Sequence, residues 1–359
     1  MRKNLFATTP GIIIVGAVIG LIAVWLQKLG NPANMGICVA CFERDVAGGL
    51  GLHRAAIVQY LRPEIMGLVL GSLAAAIATR EFKPRGGSAP IVRFVLGMIA
   101  AMGALVFLGC PWRAILRLAG GDGNAILGLA GLATGIWFGT LFFKKGYSLG
   151  RSNSQSVVSG ALFPVIVVCL LLLYLIFPQI PDQPQSGPLF YSVKGPGSQH
   201  APFIASLGLA YLMSRKIVKP IVNINQSDLF LFRYTHLFLG LAAMFAAAFI
   251  ANALTGGLKF GFEGQPVAHS DFLWNYLGMV TAGLAFALAG GCPGRQLFMA
   301  GEGDSDAGIF ALGMLVGAAM AHNLGTASSG TGIGVYGMQA TIIGFVVCLI
   351  IGFVHSKKA

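Results

Sequence analysis

The stretch LGCPWRAIL, residues Leu108 to Leu116, recurs later in the same chain as GGCPGRQLF, residues Gly290 to Phe298. Both copies stand where a long apolar run ends, and both read Gly-Cys-Pro-x-Arg. The preceding segments, LGMIAAMGALVFLGC from residue 96 and LGMVTAGLAFALAGGC from residue 277, align with one inserted residue. Each copy is also followed at the same distance by Gly-Asp. A repeated motif in a repeated setting indicates internal duplication.

The composition places this duplication in a membrane. Of the 359 residues, 56% are hydrophobic and only 10% are charged, and the mean hydropathy is +0.77. Soluble domains carry about 25% charged residues, and the 51 glycines suit helices that pack closely in lipid. The formal net charge of +12 lies mainly in short loops between apolar runs. That distribution is typical of cytoplasmic loops and argues against nucleic-acid binding.

Ten apolar runs predict an all-α polytopic membrane protein with about nine or ten transmembrane helices, because most are long enough to cross the hydrocarbon layer. They cover residues 11–29, 64–79, 91–109, 124–143, 157–178, 201–214, 236–254, 272–291, 307–324 and 338–355. With the amino terminus placed in the cytoplasm, the loops on that side carry about twice as many Lys and Arg residues as the others. We therefore expect both termini in the cytoplasm of a multi-pass protein of the cell inner membrane. The first run is expected to remain as a helix rather than be cleaved as a signal peptide.

The number of crossings determines how the two copies of the motif are related. The third run leaves the cytoplasm and the eighth returns to it, so the motifs face opposite sides of the membrane. This is the inverted-repeat arrangement of many secondary transporters. We predict one membrane domain, 1–359, with repeat halves 11–145 and 201–325 and an outside loop at 180–200. A miscount of one crossing would instead make the repeats parallel.

The segment Asn31–Ala55 is too apolar for an exposed loop and too interrupted to span a membrane. We expect it to be re-entrant, which requires that protein or a cavity satisfy its backbone. The segment Ile221–Arg233 is a weak counterpart in the second half, with Asp228 in the place of Asp45.

Cys-Pro at the start of a segment is typical of a helix N-terminus, with the cysteine near the cap and the proline in the first turn. The free N–H groups and the positive dipole end of such a turn bind anions. Arg113 and Arg295 follow three residues after their cysteines. The pattern predicts an anion site that contains polarisable sulfur. The alternative is a buried structural cysteine whose arginine extends to water, but two related copies favour a functional role.

Three further motifs bear on metal binding, substrate binding and ATP use. Cys38 and Cys41 form a C-x-x-C, which elsewhere indicates a redox pair or half of a zinc site. No second C-x-x-C follows, so we predict neither a metal nor a cofactor. The adjacent Arg44 and Asp45 either pair for structural reasons or attract substrate. The glycine-rich stretch at 120–123 lacks the Gly-Lys-Ser/Thr ending of a Walker A motif, which excludes ATP-driven transport on this chain.

The stretch NPANMGICVACFERDVAG, residues 31–48, together with both Gly-Cys-Pro-x-Arg motifs, resembles the YeeE/YedE sulfur-transport family. RPEIMG, FKPRGGSAP and GCPWRAILRLAGGDGNAILGLAG are similar to its branch described as selenium transporters. The resemblance covers nearly the whole chain. It implies an hourglass-like permease in which cysteines at the ends of short re-entrant helices pass thiosulfate-like anions along a central path. The family's three cysteines correspond to Cys38, Cys110 and Cys292, whereas Cys41 is additional and Trp112 stands where the family often has glycine.

Residues and resemblance together predict a permease, not an enzyme, that imports a small sulfur- or selenium-containing anion. The expected substrate-binding residues are Cys38, Cys110, Cys292, Arg44, Arg113, Arg295, Gly109 and Gly291. The resemblance further implies a cytoplasmic TusA-like sulfur-carrier protein as partner. Two alternatives are a membrane thiol oxidoreductase, which needs a disulfide between Cys38 and Cys41, and a passive anion channel, whose conductance would not depend on the cysteines.

Overall fold

The computed structural model describes residues 8–214 and 235–356, and most of the residues in these ranges are α-helical. The helices are α1 Thr9–Lys28, α2 Val39–Gly49, α3 Pro63–Ala78, α4 Pro90–Phe107, α5 Pro111–Ala119, α6 Asn124–Lys144, α7 Val157–Ile176, α8 Phe203–Ser214, α9 Thr235–Leu254, α10 Phe272–Ala289, α11 Pro293–Gly301, α12 Ser305–Asn323 and α13 Gly337–Val354. Two short antiparallel pairs join β1 Arg85–Gly86 to β2 Asn153–Ser154 and β3 Gln185–Ser186 to β4 Leu189–Phe190. The predicted all-α polytopic fold is confirmed.

Seven segments of the described ranges are long and apolar enough to cross a membrane. Two of them join a long helix to a short one, α4 to α5 over Pro90–Ala119 and α10 to α11 over Phe272–Gly301. The others are α1, α6, α7, α12 and α13, while α3, α8 and α9 contain shorter apolar stretches. Each of the ten predicted runs therefore contains one apolar helix.

The helices α4 and α10, which precede the two Gly-Cys-Pro motifs, run antiparallel. Near the start of α4, Arg93 Nη1 donates to the carbonyl of Ala289 at the end of α10, at 3.0 Å. Further along, Gly103 of α4 lies against Gly278, near the start of α10. Because equivalent helices of the two copies point in opposite directions, the repeats are inverted.

Four glycines in two equivalent helix contacts show how closely the repeats match. Gly131 and Gly135 of α6 lie against the backbone of Tyr276 and Val280 in α10, and Gly313 and Gly317 of α12 lie in the same way against Phe94 and Met98 in α4. We call these two contacts the glycine seams. The same shift in numbering relates each residue to its counterpart and Cys110 to Cys292. The two repeats therefore superimpose without an insertion, and the one-residue gap in the sequence alignment is wrong. That gap came from matching the two LGM triplets, which lie one residue out of structural register.

The loops before α4 and α10 each form a hydrogen bond with the opposite repeat. The backbone N–H of Lys83 donates to the carbonyl of Glu302 at the end of α11, at 3.0 Å, and that of Lys259 donates to Gly120 at the end of α5, at 2.9 Å. Each loop therefore pairs with the short helix of the other repeat. The boundaries 11–145 and 201–325 of the halves stay a prediction.

The segment Asn31–Ala55 contains the short helix α2, whose eleven residues are all buried. The loop 180–200 lies over this region, because Arg62, which pairs with Asp45 of α2, donates to the carbonyls of Pro196 and Gln199 at 2.8 and 2.9 Å. That this loop is on the outside stays a prediction. The proposed counterpart Ile221–Arg233, with Asp228, lies outside the described residues.

Candidate functional site

Three short helices each begin at a cysteine. Cys38 is the N-cap of α2, Cys110 the N-cap of α5 and Cys292 the N-cap of α11. The helices α5 and α11 start with proline, as the motif predicts, and the N-cap geometry inferred for Cys110 and Cys292 is confirmed. Proline fits there because the first turn leaves its N–H groups unpaired within the helix. The same unpaired N–H groups carry the positive end of each helix dipole.

The thiols of α2 and α5 form one cluster. The backbone N–H of Cys41 donates to Cys38 Sγ at 3.4 Å, and the Cys38 thiol lies beside that of Cys110. Arg113 Nη1 donates to Cys41 Sγ at 3.5 Å. Sequence reasoning left Cys41 out of the site, although its spacing of three residues from Cys38 places it on the same face of the first helical turn. We call Cys38, Cys41 and Cys110 the thiol cluster.

Trp112 connects the thiol cluster to the second motif. Its indole ring lies against Gly294, where a Cβ atom would approach it to 2.5 Å, and its centroid is 6.2 Å from that of the Phe298 ring. The two copies of the motif are therefore in contact, with the tryptophan of the first copy packed against the glycine of the second. Cys292 is partly accessible, whereas the three members of the thiol cluster are buried.

The motif arginines fold back onto the turn that presents each cysteine. Arg113 Nη1 donates to the carbonyl of Leu108, and Arg295 Nη1 donates at 2.8 Å to that of Gly290, which is the equivalent position. Leu108 has φ 62° and Gly290 has φ 89°, so the first copy holds a leucine in a conformation that favours glycine. Each arginine therefore keeps its positive charge beside the cysteine of its motif, and its hydrogen bond holds the turn before that cysteine in place.

Gly109 and Gly291 are needed for this folding back. At Gly291 a Cβ atom would approach Cδ of Arg295 to 2.5 Å, and at Gly109 it would lie 3.3 Å from Cδ of Arg113. A side chain at either position would crowd the arginine. The structure therefore assigns the two glycines a steric reason for their place in the motif, and their contact with substrate stays a prediction.

The completely buried Arg113 joins three separate segments. Besides Leu108, its guanidinium donates to the carbonyls of Asn34 at 3.2 Å and Val267 at 3.0 Å. His269 supports the same loop, since it accepts from Asp271 N–H through Nδ1 and bonds the carbonyl of Val106 through Nε2 at 2.7 Å. Burial lowers the pKa of His269, which favours the neutral ring with its proton on Nε2.

Arg44 belongs to a buried ion-pair network on α2. Asp45 accepts from Arg44 at 2.7 Å through Oδ1 and from Arg62 at 2.7 Å through Oδ2. Sequence reasoning missed Arg62, which stands at the N-cap of α3 and is completely buried. Two cations share one carboxylate, so the network carries a positive charge into the protein. The pairing supports a structural role for Arg44, and its contact with substrate stays a prediction.

An apolar cavity of about 800 Å³ lies elsewhere, between α4, α12 and α13. Its walls include Met98, Met102, Ile343 and Val347, and no cysteine lines it. A small anion would find little compensation there for its lost hydration. Within the described ranges, no group of three or more His, Cys, Asp or Glu side chains is placed to hold a metal ion.

Comparison of the chain with protein-family models and with curated proteins found no match. The class of this protein therefore comes from its fold alone: a multi-pass α-helical membrane protein. Its distinguishing feature is the set of buried thiols at the starts of short helices.

Proposed function

We propose that this protein is a permease that imports a small sulfur- or selenium-containing anion across the cell inner membrane. The observation that carries the proposal is the meeting of cysteine-capped helices from both repeats, with Cys38 beside Cys110 and Trp112 against Gly294. The resemblance to the YeeE/YedE family supports the same function and names thiosulfate or a selenium oxyanion as the substrate.

The electrostatics of the cluster suit a transient anion site. Helix N-termini contribute roughly half a positive charge each, and Arg113 adds a full charge bonded to Cys41. Asp45 of α2 is already shared by two arginines. An anion therefore meets donors and positive charge, because the negative charge of Asp45 is already offset by its two arginines.

Thiols are suitable donors for a path because they bind weakly. An S–H group is a poor hydrogen-bond donor, so an anion that it holds can leave for the next site, and conduction requires such release. The proposed order is Cys110 and Cys38 first, then Cys292. The burial of the first two and the partial accessibility of the third support a conformation that is closed on the thiol-cluster side.

The proposal includes a partner on the cytoplasmic side. A TusA-like sulfur-carrier protein would accept the imported sulfur once the anion has passed Cys292. Arg295 lies beside that exit and would hold the anion by its charge until it is released.

Uptake of labelled thiosulfate and selenite into cells tests the function. The double change Cys110→Ala with Cys292→Ala removes one thiol from each repeat. Since a net hydrogen bond contributes about 1 kcal/mol, and each 1.4 kcal/mol is a factor of ten, we expect uptake to fall on the order of tenfold or more. Cys348→Ala, at a buried cysteine in α13, is the matched control and keeps wild-type uptake. Uptake that is unchanged in the double variant would make the relay hypothesis wrong.

A further inference from the structure

Glu43 differs from every other buried carboxyl group in the described ranges. It lies in the middle of α2, is 4% exposed, and accepts no hydrogen bond from a described residue, with its Oε2 atom fully buried. The Oε2 atom of Glu64 is also without a partner, but Oε1 of Glu64 accepts two hydrogen bonds. The other five such carboxyls each have bonds from arginine, amide, hydroxyl or backbone groups; they are Asp45, Glu64, Asp122, Asp304 and Asp306. Glu43 is thus buried without the hydrogen bonds or the cationic partner that a buried carboxylate needs.

The ionisable groups on the elements around α2 do not supply that compensation. The helices α3, α4, α11 and α12 and the strand β4 pack against α2. Their ionisable side chains, with the α3 N-cap included, are Arg62, Glu64, Arg93, Arg295, Asp306 and His322. No hydrogen bond or ion pair joins any of these described groups to Glu43. The next residue, Arg44, donates through Nε and Nη2 to Asp45.

Such a carboxyl group holds a proton. An unpaired carboxylate removed from water is far less stable than the neutral acid, and ionisable groups in this setting carry protons in many pumps and transporters. Glu43 loses its proton only when α2 moves enough to admit water or a cation. The same helix carries Cys38 and Cys41, so a movement that opens the anion path also changes the surroundings of Glu43.

We infer that Glu43 is the proton-carrying residue of a proton–anion symport through this protein. The inference rests on the proposed function. An anion that enters a cell moves against an inside-negative potential, and a proton carried with it removes one negative charge from the translocated unit. The proton binds the Glu43 carboxylate when the outer side is open, and it leaves when the inner side is open.

Purified protein in liposomes, with the membrane potential clamped at zero, tests this inference with labelled thiosulfate. When the outside is made more acidic, wild-type protein accumulates the anion, by up to about tenfold per pH unit if one proton accompanies each anion. Glu43→Gln, which mimics the neutral acid, loses this accumulation but still exchanges labelled for unlabelled thiosulfate at equal pH. Retained exchange also shows that the variant is folded.

Glu64→Gln is the matched control, because Glu64 is equally buried but accepts from Asn31 and Ser206 at 2.7 and 3.0 Å. It keeps the response to the pH gradient. Accumulation that persists in Glu43→Gln, or loss of its exchange, would overturn the role of Glu43. Wild-type uptake that ignores the pH gradient would overturn the symport and leave the proposed function standing. No wild-type uptake of any sulfur or selenium anion would overturn both.

Discussion

Arg113 shows how one side chain serves both the local motif and its surroundings. Its guanidinium reaches carbonyl groups before α2, at the end of α4 and before α10, and it also contacts a thiol of the cluster. A planar group with five N–H donors can satisfy several acceptors at once, whereas an ammonium group on a flexible stem cannot match that geometry. The residue therefore holds the thiol cluster in shape as well as giving it charge.

Arg113→Lys is expected to destabilise the protein by about 2–4 kcal/mol, because several buried carbonyl groups lose their donor. Thermal unfolding of the detergent-solubilised protein measures the effect. Arg151→Lys, at an exposed arginine between α6 and α7, is the control and leaves the unfolding temperature unchanged. Equal unfolding temperatures for wild type and Arg113→Lys would contradict the joining role.

At the scale of elements, the glycine seams set the distance between helices. Gly131 on α6 and Gly313 on α12 allow the backbone of the neighbouring helix to approach so closely that a Cβ atom would overlap its carbonyl oxygen. Association of helices in lipid depends on such packing, because no hydrophobic effect draws them together. The seams hold α4 and α10 in place, and these helices present Cys110 and Cys292 at their ends.

Gly131→Ala and Gly313→Ala are expected to lower stability by similar amounts, on the order of 1–3 kcal/mol each, since an added methyl group overpacks the contact. The similarity follows from the inverted symmetry of the two seams. Gly208→Ala in α8 is the control, since a Cβ atom there meets nothing within 4 Å. Unfolding temperature and yield of monodisperse protein report the effect, and a large loss in only one of the pair would argue against equivalent seams.

At the scale of the whole molecule, inversion places equivalent loops on opposite faces of the membrane. Lys83 lies in the loop before α4 and Lys259 in the loop before α10, and each pairs with the short helix of the other repeat. The greater number of basic residues on the Lys83 side predicts that this side is cytoplasmic.

Single changes Lys83→Cys and Glu263→Cys, at exposed positions in these two loops, test the orientation with a membrane-impermeant maleimide. We expect labelling at 263 in intact cells and at 83 only after permeabilisation. The unmodified chain gives the background from its own cysteines. Labelling of both positions from the same side would mean that the repeats are parallel.

The local patterns of the chain were enough to predict much of this architecture. Hydropathy locates the ten apolar helices, and Cys-Pro after an apolar run predicts the starts of α5 and α11, because caps and first turns depend on residues next to one another. The duplicated Gly-Cys-Pro-x-Arg motif and the odd number of crossings predicted the inversion.

Other features depend on residues distant in the sequence, and only the tertiary structure decided them. The contact of Cys38 with Cys110, the inclusion of Cys41 in the same cluster and the meeting of Trp112 with Gly294 depend on how separate helices pack. The isolation of Glu43 is of the same kind, because a missing partner can be recognised only when all neighbours are in place. Hydrophobic periodicity and capping act within a few residues, whereas side-chain contacts between re-entrant helices are determined by the packing of the two repeats against each other.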